Sequence, residues 1–79
     1  MKNPHILAYM IIDQVLSDGM KTHPNDDWRN EPQDKHLDKA MRHILTHKLV
    51  RDGHQKPNGE NHLHHALTRI AMAIAQEKK

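Results

Sequence analysis

The sequence predicts an all-α fold of three helices, and three observations carry that expectation. Apolar residues recur at helical spacing in three separate segments. Each segment starts or stops on a residue suited to a helix terminus. No stretch alternates apolar with polar residues as a half-buried strand would, and the chain has one Trp, one Tyr and no Phe.

With 79 residues the chain is a single domain, 1–79, and a domain this small hides only about 60% of the surface its unfolded chain exposes. The apolar fraction is 35%, so the core will be thin unless a partner or ligand adds burial. We therefore expect a small three-helix domain with long loops, completed by homo-oligomerisation.

The first helix is expected over residues 4–18. Asn3 suits the N-cap, Pro4 the first helical position and Gly19 a left-handed C-terminal residue. Ile6, Tyr9, Met10 and Leu16 fall on one side, while Ala8, Ile11, Ile12 and Val15 cover much of the other. A helix apolar nearly all round is buried on more than one side. The second covering surface is expected to be another copy of the chain; the alternative is that the other two helices cover both sides. Asp13 sits among these apolar residues, where a carboxylate is costly unless paired, so an Arg or His from another helix is expected beside it.

Residues 20–33, MKTHPNDDWRNEPQ, read as a loop. Trp28 lies in it, and it either caps the small core or stacks on a base. Asp34 is the expected N-cap of the second helix, 34–51, which stops near Asp52-Gly53. Its spacing assigns Leu37, Met41, Ile44, Leu45 and the stem of Lys48 to the core face. His36, Ala40, His43 and His47 form the adjacent stripe. The third helix is expected over 61–76, capped by Asn61, with an apolar seam of Leu63, Leu67, Ile70 and Ile74 broadened by alanines. Beside that seam run His62, Ala66, Arg69 and Ala73, with His65 about 60° further round and His64 turned toward solvent.

The chain has no cysteine and nine histidines, so histidine is its one soft metal ligand and a reducing compartment is expected. His62 and His65 could share a metal that His43 or Asp52 completes. The His-Glu-x-x-His signature of zinc hydrolases is absent. Alternatively Arg42, His43, His62 and Arg69 hold a phosphate, aided by the N-terminus of the third helix. The NGEN loop before it lacks P-loop spacing. The plainest reading is that these histidines satisfy backbone and carboxylate groups at the edge of the bundle. No nucleophile signature is present, and the carboxylates do not form the set that usually holds magnesium. The net charge of +2 gives no strong nucleic-acid signal. No apolar run could span a bilayer and no targeting leader is visible, so a cytoplasmic protein is expected.

In order along the chain stand Gly19, Lys21, Trp28-Arg29, AMRHIL at residues 40–45, Asp52-Gly53 and NGENHLHHALTRIAMAI. This pattern resembles the small, mostly phage-encoded family described as the N-terminal domain of dATP/dGTP diphosphohydrolases, over roughly residues 9–76. The family's motif residues fall on Gly19, Lys21, Trp28, Arg42, His43, His62 and His65. His23 and Asp27 stand where the family has Tyr and Asn, and the loop KPNGEN carries fewer acids than the family's. The resemblance implies hydrolysis of a deoxynucleoside triphosphate to the monophosphate and pyrophosphate, with magnesium or another divalent metal as cofactor. The paired Glu-x-x-Glu and Glu-x-x-Asp helices of MazG-type pyrophosphohydrolases are absent.

Taken together, the chain is expected to bind a nucleotide or related phosphate ligand through Lys21, Trp28, Arg42, His43, His62, His65 and Arg69. The competing expectation is a non-catalytic phage protein that inhibits a host protein or sequesters a signalling nucleotide.

Overall fold

The computed structural model describes residues 3–22 and 27–77. They form α1 (Pro4–Thr22), a 3-10 turn (Asp27–Asn30), α2 (Gln33–Arg51) and α3 (His62–Glu77). The all-α expectation holds, with no strand among the described residues. None of the described helices is long and apolar enough to cross a membrane.

Most of the helix ends are where local chemistry puts them. The Asn3 side-chain oxygen accepts hydrogen bonds from the backbone N–H groups of His5 at 2.8 Å and Ile6 at 3.4 Å. Asn61 caps α3 by accepting from the His64 N–H at 3.2 Å. At the end of α2 the His54 N–H donates to the Leu49 carbonyl at 2.8 Å and the Gly53 N–H to that of Val50 at 3.1 Å. This reciprocal pair needs a left-handed residue, which Gly53 supplies at φ 81.

Two boundaries differ from expectation. α1 runs through Gly19 to Thr22; Gly53 and Gly59 have positive φ, and Gly19 is not among such glycines, so nothing in the backbone stops the helix there. α2 begins before Asp34, with extended Pro32 at the N-cap and no side-chain cap. Asp34 instead sits in the first turn, where its charge favours the helix dipole.

α3 is the centre of the molecule, packing against α2, α1 and the 3-10 turn, whereas α1 and α2 do not pack on each other. α2 and α3 run antiparallel. The Gln33 side-chain amide at the start of α2 donates to the Ala73 carbonyl at 3.1 Å near the end of α3, and His43 meets His62 at the other end.

The inward faces of these two helices are not the expected ones. Met41 is 68% exposed and Leu45 58%, and Leu37, Ile44, Leu63, Ile70 and Ile74 are exposed as well. What lies between the helices is the polar stripe: His36 at 0% exposure, with Ala40, Ala66, Ala73, His62 and Thr68 also buried. Alanines at this contact leave room for the backbones to approach and for imidazole rings to fit between them. The radius of gyration, 13.3 Å, exceeds the roughly 12 Å of a compact chain of this length. Asp13 is exposed, so water solvates it and the expected partner is not needed.

Candidate functional site

The buried centre of the α2–α3 contact is a hydrogen-bonded network. Arg69 donates to the Glu31 carboxylate at 2.8 Å and meets His36 Nδ1 at 2.9 Å. His36 Nε2 lies 2.8 Å from the Trp28 carbonyl. A guanidinium can only donate and a carbonyl can only accept, so His36 carries its proton on Nε2 and accepts at Nδ1. The Gln76 amide donates to the Glu31 carbonyl at 2.6 Å, tying the last turns of α3 to the segment after the 3-10 turn. Burial pulls the Glu31 pKa upward, but the hydrogen bond and charge of Arg69, with Lys39 and Lys35, outweigh it and hold the carboxyl below its ordinary value.

Beside this network is an open groove of about 670 Å³ between the end of α1, the 3-10 turn and α3. Trp28, Arg29, Lys39, His65, Thr68 and Arg69, with the carboxylates Asp18 and Glu31, line its polar side, and Val15, Leu16, Met20 and Met72 its apolar side. The Arg29 guanidinium lies 4.8 Å from the centre of the Trp28 ring, and His36 packs edge-on to that ring. Trp28 thus caps the small core and also borders the groove. Lys39 makes no hydrogen bond or ion pair among the described residues. Burial and then the charge of Arg69 lower its pKa, against the attraction of Glu31.

At the N-terminal end of α3 a second cluster forms. The Nδ1 atoms of His43 and His62 are 2.9 Å apart, so one ring donates and the other accepts. His65 stacks on His43 with ring centres 5.1 Å apart, and a Glu60 oxygen lies 3.8 Å from His62 Nδ1. Burial, then the proximity of His65 and His62, lowers the His43 pKa. His62 Nε2 is buried with no hydrogen-bond partner. One ligand atom each from His43, Glu60 and His62 lies within 4.8 Å of the others, so this group could hold a metal ion. His65 belongs to both regions, since it lines the groove and stacks on His43.

The structure brings together some of the expected site residues and separates others. His43, His62, His65 and Arg69 converge as two adjacent clusters, and Trp28 joins them across the groove. Lys21 is exposed and paired with Asp18 at 3.7 Å, and Arg42 is exposed and does not line the groove. Asp52, expected as a ligand, is instead hydrogen-bonded by its neighbour Arg51 at 3.0 Å, which lowers its pKa. Glu60 stands beside the histidines in its place. His64 is half-buried and outside both clusters. Glu31, His36 and Lys39 are additions. His36 and Ala40 belong to the histidine stripe beside the expected core face, and both are buried.

This architecture defines a class: a small all-α domain whose helices enclose a histidine and arginine network beside a cationic groove. A model of the family described as dATP/dGTP diphosphohydrolase, N-terminal, matches residues 4–79, and the chain belongs to that family. No curated protein and no solved structure matches the chain.

Proposed function

We propose that the domain binds a nucleotide or related phosphate ligand in the groove between α1, the 3-10 turn and α3. The observation that carries this reading is Lys39. Lys39 is half-buried with the charge of Arg69 beside it, and the carboxylate that attracts it, Glu31, is already engaged by Arg69 and Lys35. Three cations, Arg69, Lys39 and Lys35, share the Glu31 carboxylate there, and an incoming phosphate would restore the balance. Family membership supports a deoxynucleoside triphosphate as the ligand. The apolar wall and Trp28 offer a surface for a base and sugar.

Whether such a ligand is also cut to the monophosphate and pyrophosphate is a separate question. The family implies magnesium, yet the residues here do not fit a protein-held magnesium ion, which takes oxygen ligands. The grouped donors are two imidazoles and one carboxylate.

The reading is tested by titrating the four dNTPs and inorganic pyrophosphate into the protein and following melting temperature and pyrophosphate release. At least one dNTP should raise the melting temperature, and Lys39→Met should weaken its binding about tenfold, the loss of one charge-assisted contact. If no ligand stabilises the wild-type chain, the binding reading fails.

A second reading is favoured by the outward faces. The accessible surface is 6347 Å², whereas a compact monomer of this mass exposes about 4,900 Å². That excess is larger than the roughly 800 Å² that each partner buries in a standard protein interface. A second copy of this chain seated on exposed apolar residues such as Met41, Leu45 and Ile74 would cover part of it, and a host protein on the same faces is the competing occupant. Light scattering across a concentration series separates a dimer from a monomer, and a monomer at all concentrations would exclude the self-association.

A further inference from the structure

The donor set at the N-terminal end of α3 is specific in its chemistry. His43 comes from the middle of α2, His62 from the first residue of α3, and Glu60 from the loop two residues earlier. The capped helix start fixes their spacing, because Asn61 between Glu60 and His62 holds the first turn through the His64 N–H. Glu60 and His62 also line a shallow cleft with His47, Val50 and Pro57, which gives an ion a path from solvent.

We propose that His43 Nδ1, His62 Nδ1 and the Glu60 carboxylate form a three-ligand site for a borderline-soft transition metal of the zinc class, in preference to magnesium. Imidazole nitrogen suits zinc, cobalt and nickel, while magnesium selects oxygen donors. Two histidines and one glutamate are a known zinc donor set that leaves a fourth position open to water or to a phosphate oxygen. In a tetrahedral zinc site with bonds of about 2.0–2.1 Å, two nitrogens stand roughly 3.3 Å apart. The two Nδ1 atoms are 2.9 Å apart, so the rings need to separate by only a few tenths of an ångström. On binding, the ring that carries its proton on Nδ1 moves it to Nε2, and the metal takes the place of the hydrogen bond between the rings. His65, stacked on His43, holds that ring in position without ligating.

The site rests on these three side chains and not on the nucleotide reading, so its test contains no nucleotide. Protein freed of metal by a chelator is titrated with zinc chloride, cobalt chloride and magnesium chloride by calorimetry, with nitrogen-15 spectra of the imidazoles. Zinc should bind one ion per chain and shift the Nδ1 signals of His43 and His62, while magnesium at millimolar concentration should leave them unmoved. Glu60→Gln changes an exposed side chain and should keep the helical signal while weakening zinc at least tenfold. His43→Gln should do the same. The pair His5→Gln and His54→Gln, both exposed, should leave the affinity unchanged. Zinc binding that survives Glu60→Gln and His43→Gln but is lost in the His5 and His54 variant would overturn the proposal. So would wild-type protein that takes up no zinc, or that takes up magnesium equally well.

Discussion

The inward and outward faces of α2 and α3 reverse the usual distribution. Between the helices lie His36, His62 and three alanines, while Met41, Leu45, Leu63 and Ile74 face out. Buried polar groups are stable only when their hydrogen bonds are complete. Arg69, His36 and Glu31 meet that condition among themselves, with Gln76 Oε1 beside them unpaired, and the His43–His62 pair leaves His62 Nε2 without a partner. The first region holds the fold together and borders the groove, and the second presents two Nδ1 atoms to a metal.

Removing Arg69 should have the largest effect. Arg69→Met leaves His36 Nδ1 without its donor and Glu31 with only the longer Lys35 pair at 3.6 Å, and because both partners of the lost pair are about one quarter exposed the loss should be about 2–3 kcal/mol, below that of a fully buried pair. In a domain this small that lowers the melting temperature by roughly 10–20 °C, as thermal denaturation would register. His36→Leu comes next. It removes a fully buried ring and two hydrogen bonds but leaves the Arg69–Glu31 pair, so a cost of about 1–2 kcal/mol is expected. A His36 variant as damaging as Arg69→Met would mean that the imidazole, not the ion pair, organises the network.

The histidine cluster can be probed by pH in metal-free protein. His43 has a folded pKa below its ordinary 6.5, so below that pH the unfolded chain takes up a proton that the folded chain refuses. Stability should fall as pH drops from about 6.5 toward the lower folded pKa, and level off beyond it. Denaturant melts of His43→Gln should show a flatter slope in that window; an unchanged slope would place the titration elsewhere. The smallest effect is expected on the outside. Met41→Gln with Leu45→Gln should change the stability of a monomer by no more than about 0.5 kcal/mol. If copies of the chain associate through this face, the same pair should abolish any concentration dependence of the melting temperature.

The sequence carried the elements better than their orientation. Asn3, Asn61 and Gly53 act through bonds to residues a few positions away, so the ends they set can be read locally. Gly19 misled because glycine permits a left-handed turn without requiring one. Helical periodicity located two faces on α2, one with Leu37 and Met41 and one with His36, Ala40 and His43, but it does not say which face turns inward. The neighbouring stripe of small residues, Ala40, Ala66 and Ala73, decided it, by letting α2 and α3 approach. For the same reason His43, His62 and Arg69 were legible as candidates, whereas Glu31 and Lys39 were not. Their role depends on the partner that tertiary packing brings, Arg69 from α3.

The most direct test is a backbone and side-chain NMR titration with a dNTP that stabilises the protein. If the polar interior and its groove form the ligand-facing side, the signals of the Trp28 indole N–H, Lys39, His65 and Arg69 should move together and saturate with one ligand per chain. Those of Met41, Leu45, Leu63 and Ile74 should stay in place. Shifts confined to these four outward residues, with the Trp28 and Lys39 signals unmoved, would contradict the account.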